Sequence, residues 1–262
     1  MNKIFILFVA SATMMAAACS KDDDSPTTKG DEACRVSKIT HFRYNSEVSD
    51  VNFEYDEEGR VISVSEFSDY GADIYSFTYG TNRIEVNDMS DRQTSYILQN
   101  GRVRAKQVLS EDGRKVNSTY RYNDEGYLIS IGSSYVDIEF EYKNGNISLL
   151  KSSYDMHNFI PKYNDLPRLP YAEQLVGAFA EWFFIDYDDA ILYEQGYFGK
   201  KIKNQIISVK EKGSSGSEFN HFYTYKNNSE GKPNSISSYH MYEDAPMKEL
   251  EGTFNYEFIC RQ

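Results

Sequence analysis

The chain has 262 residues, with 40 Asp and Glu against 28 Lys and Arg, a net charge of −12 and a mean hydropathy of −0.61. An acidic chain with no run of Lys or Arg is repelled by phosphate backbones, so no nucleic acid is expected as a partner. The 22 Tyr and 16 Phe, against a single Trp, favour pleated, half-buried strands, and an all-β chain of about this length is often one domain.

At the N-terminus, Lys3 precedes an apolar run over 4–9, and small residues lead into Ala16, Ala17, Ala18 and Cys19. This is the layout of a secretory signal peptide over 1–18. Small residues directly before a Cys resemble a bacterial lipobox, with Ala16 standing where Leu is usual. The resemblance implies that Cys19 is acylated, becomes the first mature residue, and holds the protein to outer-membrane lipid. Buried acyl chains contribute about 0.8 kcal/mol per CH₂, so a multiply acylated Cys anchors a domain that does not span the bilayer. The plainer alternative is an ordinary signal peptide cut near Ala18.

Ser20, Lys21, Asp22, Asp23 and Asp24 follow, and this run resembles the acidic signal that sends lipoproteins of Bacteroidota to the outside of the outer membrane. The same charges also read as a solvated tether. The tether, acidic and flexible, occupies 19–32, and a single β-rich domain is expected over 33–262. No stretch past residue 20 is long and apolar enough for a membrane-spanning helix. Cys34 and Cys260 sit near the two ends of that domain, in an exported context that permits a disulfide. Pairing would close a loop of about 225 residues, worth about 5 kcal/mol at most, and would set the first and last strands side by side. Two unpaired thiols remain the alternative.

The domain reads as a series of hairpins. Val51, Phe53 and Tyr55 alternate with polar residues, Gly59 follows in a turn, and Val61 to Val64 return. Further units carry Tyr75, Phe77 and Tyr79 before Gly80, Tyr96 before Gly101, and Tyr120 and Tyr122 before Gly126. Ile138, Phe140 and Tyr142 precede Gly145 in the cleanest alternation, and Tyr223, Tyr225, Phe254 and Tyr256 belong to closing strands. Glycines 59, 80, 101, 126 and 145 lie about 20 residues apart, one hairpin per unit, which predicts ten or more antiparallel strands.

The aromatic-x-Tyr, Asx-x-x-Gly-x-aliphatic units resemble the YD repeats of Rhs-type proteins over about half the chain. Together with the lipobox and the acidic tether, they resemble a family of Bacteroidota surface lipoproteins with a porin-like β fold and no assigned activity. The expected fold is mainly β: an antiparallel hairpin meander forming a strongly curved or barrel-like sheet, with one inserted amphipathic helix. A pore is not expected, because aromatics alternate with Glu, Asp, Arg and Thr and leave no lipid-facing apolar belt.

The helical insertion is expected over about 164–199. Pro170 suits a first helical turn, and Tyr171, Leu175, Phe179 and Trp182 recur at helical spacing, widened by Val176 and Phe183. So wide an apolar face must be covered, and the helix is expected to pack against or plug the concave side of the sheet. A second helical turn is placed from Asp188 to near Gly196.

Chemistry is sparse. His41, His157, His221 and His240 form no metal-ligand pattern, although His221 and His240 fall in neighbouring strands and are able to face each other. Asp186, Asp188 and Asp189 lack the order of a calcium loop and read as caps in a solvated loop. No nucleophile elbow, phosphate loop or dinucleotide motif occurs, so no enzyme, metal or cofactor is expected. Exposed aromatics can stack on sugars, and Trp182, Tyr239 and Tyr242 are the candidates, cross-strand packing being the plainer use of any Tyr. The expected role is a lipid-anchored, non-enzymatic binding or interaction module at the cell exterior. The two specific versions are a glycan-binding accessory lipoprotein of a nutrient-uptake system and a structural envelope protein that binds other proteins.

Overall fold

The structure is a computed structural model that describes residues 34–260 apart from 44–45, 70, 90–91, 110–112, 135, 154–155, 172–186, 215, 230–232 and 243–248. Among the described residues the strands are β1 (Cys34–Arg43), β2 (Ser46–Tyr55), β3 (Val61–Ser68), β4 (Gly71–Tyr79), β5 (Arg83–Asn87), β6 (Gln93–Gln99), β7 (Arg102–Leu109) and β8 (Lys115–Tyr122). They continue as β9 (Leu128–Ser133), β10 (Asp137–Lys143), β11 (Asn146–Ser152), β12 (Asn158–Pro167), β13 (Asn204–Lys212), β14 (Glu218–Asn227), β15 (Pro233–Tyr242) and β16 (Glu249–Cys260). One helix, α1 (Tyr187–Glu194), stands between β12 and β13.

Each strand pairs antiparallel with its sequence neighbours, and β1 pairs with β16 from Cys34 opposite Cys260 to Phe42 opposite Thr253. The meander therefore closes into a barrel and leaves no free sheet edge. A disulfide joins Cys34 to Cys260 across this seam.

Period-two patterning decides which side of the wall each residue takes. In β10, Ile138 and Phe140 are buried while Asp137, Glu139 and Glu141 are exposed. The inward set forms one apolar core running from Val36 to Tyr256, filled by Tyr and Phe side chains as well as aliphatics. The outer wall carries cross-strand ion pairs, including Lys38 to Asp50 at 2.6 Å, Lys151 to Glu141 at 2.8 Å and Lys212 to Glu218 at 2.8 Å. A barrel that spans a bilayer has the reverse arrangement, with an apolar band facing out.

The recurrent tyrosines have a defined task. Tyr55, Tyr79 and Tyr122 each end the second strand of a hairpin and Tyr225 lies two residues before the end of another, and their hydroxyls donate to the carbonyls of Val36, Val61, Val103 and Ile206 at 2.6 to 2.8 Å. Each bond fastens the open end of a hairpin, where its two strands would otherwise splay. Arg35, Arg60 and Arg102, each next to an acceptor, lie 5.4, 4.6 and 5.7 Å from the ring centres of Tyr55, Tyr79 and Tyr122. Burial pushes the Tyr55 phenol up to about 12 and raises Tyr79 and Tyr122 as well, so these hydroxyls remain donors at any physiological pH. The turns are equally systematic: Asp56 and Asn123 accept from the amides of Arg60 and Tyr127 at 2.8 and 2.9 Å, and Gly59 and Gly126 supply φ values of 84° and 94°.

That end of the barrel is sealed by the segment after β12. α1 enters the lumen with Ile191, Leu192 and Tyr193 no more than 2% exposed. Its first turn is locked by a buried polar cluster in which Lys106 Nζ of β7 lies 3.0 Å from Asp189 Oδ2 and 3.6 Å from Asp188 Oδ1. The Tyr96 hydroxyl lies 2.7 Å from an oxygen of each Asp. The caps-and-loop reading of Asp188 and Asp189 is thus corrected: they are 3% and 2% exposed and face the barrel wall. At the other end of α1, Arg168 forks onto the buried Glu194. Burial alone would raise that carboxyl, but Arg168, assisted by Lys201, outweighs it and holds the pKa below the usual range.

From α1 the chain runs as a ribbon along the hairpin ends. The Gln195 side chain accepts from Val61 N, Tyr197 O accepts from Val103 N, and Lys200 N and Lys203 N donate to Gly126 O and Gly145 O. Gly199, at φ 83°, allows the close approach, since a Cβ there would lie 2.3 Å from Gly126 O.

The insertion also departs from expectation. β12 continues to Pro167, and Pro170 and Tyr171 form a turn, with Tyr171 at φ 60° where the helix was expected to begin. Tyr171 is nonetheless buried, its ring centre 4.8 Å from that of Phe53. The rest of the expected apolar stripe, Trp182 included, falls at 172–186, outside the described residues. The helical turn expected from Asp188 is α1.

Removing one fastening hydroxyl by Tyr79→Phe leaves the ring in place and a carbonyl short of its donor. It is expected to lower stability by about 1 to 2 kcal/mol, read as a shift of the urea midpoint at unchanged slope. An unaltered midpoint would show that the hydroxyl contributes nothing.

Candidate functional site

At the end of the barrel away from the ribbon, the lumen changes character. Val209 is paired with His221, so period two turns both Val209 and Glu211 of β13 inward, and brings His221 and Tyr223 of β14 and His240 of β15 to the same face. A bulge in β16 between its pairings with Ser238 and Tyr239 holds Glu251 beside His240. His157, just before β12, completes the group.

Glu211 is the centre of the group. His157 Nδ1 lies 2.6 Å from its Oε1 and His221 Nε2 lies 3.3 Å from its Oε2. The bond to His221 is the main cause that holds Glu211 below the usual carboxylate range, reinforced by His157 against the opposing effect of burial. His240 Nδ1 lies 3.3 Å from Glu251 Oε1. A cavity of about 370 Å³ is lined by Glu211, Phe219, His221, His240, Met241 and Glu251. Its lining is only half-buried at Phe219, His240, Met241 and Glu251, so it opens at the barrel mouth.

Three buried polar atoms on this face have no hydrogen-bond partner among the described residues: His221 Nδ1 and Glu251 Oε2 in the cavity lining, and Tyr223 Oη two residues along β14 from His221. Unsatisfied buried groups are rare and costly. Burial, with the nearby charges of Glu251 and Glu211, raises the Tyr223 phenol and keeps it a hydrogen-bond donor. Among the described residues, no three His, Cys, Asp or Glu are arranged to hold a metal ion.

His221 and His240 are direct cross-strand partners. His41 lies at the same end on β1, stacked on Phe254 at 4.3 Å, with Gly252 leaving room for its ring. Burial, and secondarily Arg43, lowers the His41 pKa. Of the candidate aromatics, Tyr239 is half-buried on β15, paired with Phe222 and Leu250 on the face opposite to His240. Tyr242 closes the same strand opposite Phe219. Tyr239 is not among the described lining residues of the cavity. Cys19, Ser20, Lys21, Asp22, Asp23, Asp24 and Trp182 lie outside the described residues.

Sequence reasoning missed Glu211, Glu251 and Tyr223 as site residues. A carboxylate two positions after the inward Val209 was a readable signal for Glu211. Glu251 had none, because the bulge that positions it depends on strand pairing. A second cavity, about 420 Å³, lies at the sealed end beside Arg35, Tyr55 and Arg60, whose groups are already engaged in fastening hairpins.

Two solved structures share the architecture. A porin-like protein from Bacteroides uniformis superimposes with a TM-score of 0.67 at 16% identity, over 86% of this chain and 96% of that one. A porin-like protein from Bacteroides vulgatus gives 0.59 at 12%, over 85% and 97%. At these identities the likeness is one of fold. No curated protein matches the sequence. A family model described as a domain of unknown function with porin-like fold (DUF4595) matches residues 53–235, from β2 into β15, and the chain belongs to that family.

Proposed function

We propose that this protein is a lipid-anchored, non-enzymatic binding module displayed outside the outer membrane, and that the cavity at the open barrel mouth takes a small polar ligand. The observation that carries the reading is the pair of buried polar atoms in one cavity lining, His221 Nδ1 and Glu251 Oε2, that have no partner among the described residues. Glu211, held ionised by two imidazoles, and Tyr223, held protonated by burial, are fixed hydrogen-bonding groups, not groups poised to exchange protons. Among the described residues the lining includes two carboxylates, Glu211 and Glu251, which favours a neutral, hydroxyl-rich or cationic ligand over an acidic one. A sugar fits that description, so glycan capture in nutrient uptake is the preferred specific version. The polar outer wall suits a domain held beside the bilayer by an acylated Cys19, with the acidic run after it as the export signal. The hairpins are read as degenerate YD units, each fastening tyrosine in the position that gives the unit its name.

Cys19→Ala is expected to release the protein from the membrane fraction; persistent sedimentation with membranes would refute the anchor. Replacing Asp22, Asp23 and Asp24 together is expected to leave the protein lipidated but shielded from protease added to intact cells, and unchanged cleavage would remove the export role.

For the pocket, thermal unfolding of the mature protein is followed against a panel of host and plant saccharides. A sugar at about 100 times its Kd adds about 2.7 kcal/mol and raises Tm by several degrees. Glu251→Gln, which removes a charge at nearly constant shape, is expected to abolish that rise, and Tyr223→Phe, which removes an unpartnered hydroxyl on the same face, is expected to reduce it while leaving the ligand-free protein at least as stable. A rise retained in both variants would place the ligand elsewhere, and no rise with any saccharide would turn the search to protein partners.

A further inference from the structure

The buried cluster at the first turn of α1 holds an amine against two carboxyl groups. Lys106 is 2% exposed, and its Nζ lies 3.0 Å from Asp189 Oδ2 and 3.6 Å from Asp188 Oδ1. Tyr96 Oη lies 2.7 Å from both Asp188 Oδ2 and Asp189 Oδ1, and Tyr120 Oη lies 3.4 Å from that same Asp189 Oδ1. A phenol has one proton to donate, and burial, with the two Asp charges, holds Tyr96 well above its ordinary pKa. Its hydroxyl is therefore a donor toward these carboxyls, and Tyr120 presents a second hydroxyl to Asp189 Oδ1.

We propose that Lys106 and Asp189 condense to an isopeptide bond that ties β7 to α1, with Asp188 as the proton relay. Lys106 first passes an ammonium proton across the 3.0 Å contact to Asp189 Oδ2, leaving a neutral amine and a carboxylic acid. The Nζ lone pair attacks Cγ of Asp189, the C–N bond forms, and the carbonyl electron pair moves onto Oδ1. Tyr96 and Tyr120 both present hydroxyls to that oxygen, where the negative charge develops. Asp188 takes a proton from nitrogen and returns one to the Oδ2 hydroxyl, the C–O bond breaks, and water leaves. The product is an amide with one hydrogen on Nζ, one water, and Asp188 returned to its starting state. Net charge is the same before and after, and no other reactant enters.

Burial favours each neutral species along this path, and the reactants are held in contact. Phe198 closes the surroundings, its ring 6.3 Å from Tyr96 and 5.0 Å from Tyr120. The product also removes a buried ion pair, whose desolvation is a standing cost.

The test is peptide mapping of the full-length protein after denaturation and reduction. A branched peptide joining the Lys106 and Asp189 segments, lighter by one water than the two together, is the expected result. Lys106→Arg and Asp189→Ala should each eliminate it. Asp188→Ala keeps both ends of the bond and should slow its formation by about a hundredfold or more. Recovery of Lys106 and Asp189 from the wild-type protein in separate, unbranched peptides would overturn the proposal, whether or not any variant folds. A branched peptide at wild-type level in Asp188→Ala would overturn the role of Asp188.

Discussion

A cylinder of this many strands encloses more space than its own inward side chains ordinarily fill, and the rest of the structure follows from filling it. Barrels of this size in membranes leave an aqueous channel. This one places Tyr and Phe at inward positions, where they bring the most volume per residue, and then brings a helix in from one end. The unusual aromatic content is therefore a requirement of the cross-section. The polar ends of the tyrosines need partners, and the carbonyls at the hairpin ends supply them.

These tyrosine bonds and the ribbon after α1 act on the same set of hairpin ends, which makes one mouth of the barrel rigid. The Lys106, Asp188 and Asp189 cluster adds a contact in the middle of the core that apolar packing alone would leave free to slide. A buried ion pair contributes little net stability against its desolvation, and its stronger effect is to specify one register of α1 against the wall. The disulfide at the β1 and β16 seam likewise fixes the one strand pair whose members are farthest apart in sequence.

The opposite mouth follows another rule. There the inward positions turn from apolar to imidazole and carboxylate, and several of their atoms have no partner among the described residues. A protein that needed only to fill its lumen would be more stable with aliphatic residues at Glu211, His221 and Glu251. The proposed binding role rests on these polar groups at the mouth opposite the plug. The described outer wall carries cross-strand ion pairs.

Much of the wall was legible in the sequence. Alternation assigned Ile138 and Phe140 to one face and their acidic neighbours to the other, and the spaced glycines marked the turns, because strand patterning and turn geometry depend on residues within one hairpin. The two cysteines near the ends of the domain were likewise visible, with their pairing left open until the structure joined them. Closure was not legible, since it depends on the pairing of β1 with β16 across the whole chain. Nor was the fate of Asp188 and Asp189, which read as a solvated loop until the wall brought Lys106 to them. Lys106 itself lies two residues before the inward Val108, but a lysine's place on an apolar face has no meaning until its partner is known. The candidate site is assembled from four strands and one turn, with Glu251 aimed by a bulge, so the sequence determined the character of each strand while only the tertiary structure decided which charges meet inside.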